Sequence, residues 1–187
     1  TYNNFNYLKL CLKSLEKNSS FEHEILFHIN DGSDGTLNHI KNSGYKYTYS
    51  EKNIGLCSAI NKVSKLATKK YILYSHDDMY FCPEWDRALI NEIKLYKDTE
   101  FYLSGTMIEP NSGHIVYNFG TNIDEFRESE LLSKYKNINF YDHQGTHFAP
   151  HLISFKMWNR VGGFSEEFNP GIGSDPDFNM KLWKQGV

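Results

Sequence analysis

The 187-residue sequence predicts an α/β fold: a mostly parallel sheet covered by helices on both faces, three layers in all. Short apolar runs alternate with segments whose apolar residues recur every three or four positions. Each strand-like run ends in a polar turn carrying aspartate or glycine. The order is strand, helix, strand, helix, strand, helix. Strands that return parallel to one another need crossovers, and each crossover helix must bury its own apolar stripe.

The elements follow in order. Residues 6–17 place Leu8, Cys11, Leu12 and Leu15 on one helical face, with Asn6 as cap. Glu24 to Ile29 is a short apolar run that enters Asn30-Asp31-Gly32-Ser33, a buried strand running into a turn. A short helix over Asp34 to Lys41 and a strand over Tyr45 to Tyr49 come next. From Gly55 onward, Ala59, Ile60, Val63, Leu66 and Ala67 repeat at helical spacing. Residues 71–75 form a third strand, followed by His76-Asp77-Asp78, and Pro83 and Glu84 open another helix. Beyond it the pattern loosens: a strand over Phe101 to Met107, a charged helix over 123–136, a strand over Phe148 to Phe155 and a helical turn over Lys156 to Arg160. Gly162-Gly163 breaks the chain, and a last helix runs over Asp177 to Lys184.

Composition narrows the function. With 40% hydrophobic and 23% charged residues the chain can pack a core, which argues against disorder. A balance of 20 Lys+Arg against 23 Asp+Glu excludes a simple electrostatic binder of nucleic acid. Three widely spaced cysteines, Cys11, Cys57 and Cys82, include no CxxC pair and point to a reducing, cytoplasmic setting. No basic start leads into an apolar stretch, and runs such as Tyr71 to Tyr74 are too short to span a bilayer.

Ligands of open α/β sheets bind at the carboxyl ends of the strands, where Asn30-Asp31-Gly32-Ser33 and His76-Asp77-Asp78 both fall. Adjacent carboxylates repel, and a divalent cation that prefers hard oxygens relieves that cost while also binding phosphates. A helix cap beside a solvated acid would explain Asp77 and Asp78 as well. Asp31 can accept a hydrogen bond from a base edge or ribose, or simply form an Asx-turn. Asp175 and Asp177 follow a glycine-rich loop. Asp175 is placed to cap a helix whose first turn holds Pro176, and a capping carboxylate beside glycines can still serve as a base. His143, His147 and His151 recur every four residues, but Gly145 and Pro150 interrupt the helix that would align them for zinc. One of them, His147 or His151, remains a candidate for the cleft. No GxGxxG and no Walker lysine motif is present, so an acid-held metal is the remaining simple way to neutralise a diphosphate.

In this order the motifs resemble a family 2 glycosyltransferase of the GT-A fold. Thr1-Tyr2-Asn3-Asn4 is similar to the end of that family's first strand and its turn, so both ends of the chain are expected to be cut. EILFHINDGSDGT (24–36) resembles its acidic turn. Asn53-Ile54-Gly55 with Ala59 and Asn61 resembles its Asn-x-Gly helix start. YILYSHDD (71–78) resembles its metal-binding acidic motif, and GGFSEEFNPGIGSDPDF (162–178) its acceptor-side segment. The resemblance implies one domain over 1–187, with a nucleotide-sugar-binding half (1–100) and an acceptor-binding half (101–187). Carried over by position, Tyr2, Asn4, Asp31, Gly32, Ser33, Asn53, Asn61 and Asp77 would bind the nucleotide sugar. Asp77 and Asp78 would hold Mn2+ or Mg2+, and Asp175 would be the general base. Asn30, Ile60, Ser75 and Ser174 depart from the family pattern: each replaces an acid except Ile60, which stands where arginine is frequent.

The implied reaction is a metal-dependent, inverting transfer of sugar from a nucleoside-diphosphate sugar to a hydroxyl of a glycan or lipid-linked acceptor. Residues 109–147 are the expected lid or acceptor wall. A lipid-linked acceptor would bring the domain to the inner face of the membrane as a peripheral protein. Three rivals stand beside this reading. A glycoside hydrolase uses paired carboxylates but does not explain acids at successive strand ends. A nucleotidyltransferase also uses an acid-held metal, and a non-catalytic nucleotide-sugar-binding module would tolerate the departures.

Overall fold

A computed structural model describes residues 1–96, 100–138, 141 and 149–187. The first half alternates as expected: α1 (Phe5–Asn18), β1 (Leu26–Asn30), α2 (Thr36–Ser43), β2 (Lys46–Ser50), α3 (Leu56–Ser64), β3 (Tyr71–Tyr74) and α4 (Trp85–Tyr96). Then follow β4 (Tyr102–Ser104), β5 (Ile108–Glu109), β6 (Ile115–Val116), α5 (Glu128–Lys134), β7 (His151–Ser154), α6 (Phe155–Val161) and α7 (Ser174–Trp183). Short 3-10 turns cover Tyr135–Asn137 and Glu166–Phe168.

The sheet is less parallel than expected. β1 and β2 pair in parallel, and Tyr2 bridges Asn30 in the same sense. β3 and β4 do not touch: β7 lies between them, antiparallel to both. The reason lies in the connections. A crossover helix sets the direction of β2 and β4 relative to the strand before, whereas β7 is reached through the long segment 105–150 and is free to run the other way.

Two apolar cores support these layers. Leu8 and Leu12 of α1 meet Ile29 of β1 and Ile40 of α2. The larger core joins Cys57, Tyr74, Ile153, Met157 and Trp158 with Phe164, Phe178 and Leu182 from the last third of the chain. Phe178 contacts the rings of Tyr102, Trp158 and Phe164 at 5.0–5.6 Å, so α7 is anchored directly under the β3–β7–β4 sheet.

The caps of α1 and α7 differ from expectation, and α3, which starts after Gly55 as expected, is capped from a distance. α1 begins at Phe5, and the backbone N–H of Phe5 donates to Asp34 from the next turn, so Asn6 is not its cap. α7 begins at Ser174 rather than Asp177. Gly173 takes the capping position at φ 88°, which leaves Asp175 inside the first turn and not as the cap. α3 receives its cap from far away: the Asn169 side-chain oxygen accepts from the N–H groups of Cys57 and Ser58, at 3.1 and 3.4 Å, and Pro170 O accepts from Leu56.

Candidate functional site

Three strand ends converge. Asn30 N–H donates to Thr1 O and Asp31 N–H to Ser50 O, both at 2.9 Å, so Tyr2, Asp31 and Ser50 stand side by side at one edge. Tyr2 is 54% exposed there, open to a flat ring. Asp31 sits at φ 62°, in the left-handed region that costs a non-glycine residue strain. Its carboxylate accepts from Asn3 Nδ2 at 3.0 Å and from Ser33 N–H at 3.1 Å. These bonds, the Asn3 amide foremost, hold the Asp31 carboxyl below the usual carboxylate range, so it stays an ionised acceptor. Gly32 has no room for a side chain, because a Cβ there would lie 2.8 Å from Ile29 Cγ2. Ser33 is exposed beside it.

The turn after Tyr2 then reaches the third strand end. Asn4 Nδ2 donates to Asp77 Oδ1 at 3.1 Å. Asp77 Oδ2 is buried and accepts no hydrogen bond. That oxygen lies 4.0 Å from the N-terminal ammonium of Thr1, and a carboxylate oxygen free of hydrogen bonds beside the exposed carboxylate of Asp78 fits a hard divalent cation. No described residues form a cluster of three or more His, Cys, Asp or Glu side chains around a metal. Two carboxylates are the protein share that Mg2+ commonly takes, its remaining ligands being water and phosphate oxygens. The nearby Cys11 thiol is pushed up to about 12, chiefly by burial and then by Asp77 and Asp78.

Asp175 sits in the first turn of α7. Tyr74, buried at the end of β3, has its phenol raised by burial and then by the charges of Asp175, Cys57 and Asp78, so both aspartates lie within electrostatic reach of one hydroxyl. Tyr74 Oη and His76 Nε2 are 2.5 Å apart. The loop before Asp175 is fixed by Gly171 N–H to Phe168 O and Ser174 N–H to Gly171 O, at 2.7 and 3.1 Å.

Tyr2, Asn4, Asp31, Gly32, Ser33 and Asp77 are thus linked along one edge, with Asp78 next to Asp77 in sequence, and Asp175 lies on the first turn of α7. Asn53 and Asn61 are engaged elsewhere. Asn53 is exposed and closes an Asx-turn onto Gly55 N–H at 2.9 Å. Asn61 pins Phe164, accepting from its N–H at 2.9 Å and donating to its carbonyl at 2.8 Å. His143 and His147 lie outside the described residues. His151 is buried on β7 against Tyr102, inside the sheet. Asn3 is the residue sequence reasoning missed. Its signal is conformational, a left-handed asparagine at φ 47° hydrogen-bonded to a left-handed aspartate, and no sequence period reports it.

The chain is similar to known proteins in sequence profile and in fold. The sequence profile described as glycosyl transferase family 2 matches residues 1–157. Among solved structures, TarS 1–349 of S. aureus aligns with a TM-score of 0.68 and 21% identity over 98% of this chain and 53% of that one. TarS 1–349 in complex with UDP aligns with a TM-score of 0.60 and 17% identity over 91% and 50%. At these identities the likeness shows the fold, and the chain spans about half the length of the structures it matches. No curated protein matches the chain significantly.

Proposed function

The chain belongs to glycosyl transferase family 2, and we propose that it moves a sugar from a nucleoside-diphosphate sugar to a hydroxyl of a glycan or lipid-linked acceptor, with inversion. The observation that carries this reading is the continuous edge from Asp31 through Asn3 and Asn4 to Asp77 and Asp78, with one buried Asp77 oxygen left without a hydrogen bond. A uridine diphosphate donor is the first to test, since the similar TarS structure is a UDP complex.

In this reading Tyr2 offers its ring to the base and Asp31 accepts from base or ribose. Asp77 and Asp78 would hold Mn2+ or Mg2+, which supplies Lewis-acid stabilisation of the departing diphosphate. Asp175 takes the acceptor hydroxyl proton. The acceptor oxygen forms its bond to the anomeric carbon from the face opposite the diphosphate. The bond to the diphosphate oxygen breaks, and its electron pair leaves with the nucleoside diphosphate. One displacement inverts the anomeric centre. No described helix is long and apolar enough to cross a membrane. A lipid-linked acceptor would bring the domain to the cytoplasmic face of a membrane as a peripheral protein.

Transfer and donor binding, measured separately, test the roles. Asp175→Asn should lower transfer by about 10²- to 10⁴-fold and leave UDP binding nearly intact. Asp78→Ala should remove metal-dependent UDP binding. Normal transfer by Asp175→Asn would remove Asp175 from the role of base.

A further inference from the structure

We propose that Asn3 is a positioning residue for the donor nucleotide, acting through Asp31. The inference rests on the nucleotide-sugar reading above and adds a residue to it. Asn3 and Asp31 both occupy left-handed backbone, at φ 47° and 62°, and neither is glycine. Strained non-glycine residues persist where the surroundings over-determine them, and they gather at ligand sites. Here each supports the other. Asn3 Oδ1 accepts from Gly32 N–H at 3.0 Å, and Asn3 Nδ2 donates to Asp31 Oδ2 at 3.0 Å and to Ser33 Oγ at 3.5 Å.

The amide spends its acceptor on the backbone of the turn and its donor on the carboxylate. With Ser33 N–H on Asp31 Oδ1, each carboxylate oxygen has one fixed donor and keeps a lone pair for a ligand, in the same strand-end turn beside which Tyr2 stands exposed. Rotation of the Asp31 carboxylate is locked before any nucleotide arrives, and locking a charged acceptor in its binding orientation lowers the cost of ordering it. Asn3 itself is exposed and touches neither Asp77 nor Asp175 through any described hydrogen bond, so its influence falls on donor binding and not on proton transfer.

The test is calorimetric titration of UDP, with Mn2+ present, into the wild type, Asn3→Gly, Asn3→Asp and the double variant Asn3→Asp/Asp31→Asn, together with thermal melting and transfer kinetics. Glycine keeps the left-handed backbone without strain and removes only the amide. Aspartate keeps the acceptor for Gly32 N–H and sets a second carboxylate against Asp31. Both single variants should weaken UDP binding by about 10- to 100-fold, with the loss in donor KM rather than kcat. The double variant re-forms the pair in reverse, so it should regain thermal stability but not UDP affinity. If folded Asn3→Gly binds UDP within about twofold of wild type, Asn3 has no positioning role. If the double variant restores affinity along with stability, the pair is only structural, and the inference falls. Failure of the wild type to bind UDP, GDP, ADP or CDP would instead overturn the nucleotide-sugar reading itself, and this inference with it.

Discussion

His28 shows what a buried polar side chain requires of its neighbours. It is 4% exposed on β1, with Nδ1 2.7 Å from Thr48 Oγ1 and Nε2 beside Asn30 Oδ1 and Ser50 Oγ at 3.2 and 3.0 Å. Burial pulls its pKa down to about 4, with Lys62 and the N-terminal ammonium adding to the fall and the hydrogen bond with Asn30 opposing it. Above an unfolded-state value near 6.5 neither state carries the proton. Between about 6.5 and 4 the unfolded chain takes it and the folded chain does not, so stability falls as pH falls, by on the order of 3 kcal/mol in all. Urea unfolding at pH 7 and pH 4.5 should show this loss, and His28→Gln should flatten it. Equal slopes in the two proteins would show that His28 is not the group responsible. The same network explains Asn30, which stands where the family pattern has an acid. Its oxygen already accepts from Ser50 Oγ and Ile54 N–H next to the uncharged imidazole. Asn30→Asp would bring a charge 3.2 Å from Nε2 and should raise the His28 pKa, which a histidine NMR titration would read.

At the scale of elements, the acceptor-side loop and α3 are built as one piece. Asn169 caps α3 across 112 residues of sequence, and its oxygen sits 2.3 Å from where a Cβ on Gly55 would lie. Gly55 is also at φ 83°, so it is required twice over: by the backbone and by the approach of the cap. Asn169→Ala should cost about 1–2 kcal/mol in urea unfolding, and Gly55→Ala more, because it strains the turn and displaces the cap together. A cost for Asn169→Ala below about 0.3 kcal/mol would mean that water replaces the cap. No local pattern announces a cap from so far away. The periodic elements were legible for the opposite reason: α1, α3 and β3 carry their apolar faces within their own sequence. The direction of β7 and the start of α7 were not, since the first depends on a long connection and the second on Gly173 entering left-handed backbone ahead of Pro176.

At the scale of the whole molecule, the fold links acids far apart in sequence, Asp31 to Asp77 through the side chains of Asn3 and Asn4. Asp31 ends β1, Asp77 and Asp78 follow β3, and Asp175 rides on the first turn of α7, which Phe178 ties to the larger core. Three of these four positions were legible because parallel α/β strands collect ligands at their carboxyl ends. Asp175 stands out in the sequence through the glycines ahead of it, and the capping position expected of it falls to Gly173. Asn3 was not, because its part is played through backbone conformation. A ligand that binds only the folded protein stabilises it by about 2.7 kcal/mol at 100 times its dissociation constant. UDP with Mn2+ should therefore raise the melting temperature more than the separate shifts from UDP and Mn2+ combined. The most direct measurement is calorimetric titration of UDP into the wild type and Asp78→Ala, each with and without Mn2+. The account predicts that Mn2+ tightens UDP binding to the wild type by about tenfold or more, and that Asp78→Ala erases the difference. UDP affinity that ignores Mn2+ in the wild type, or a full Mn2+ effect in Asp78→Ala, would contradict it.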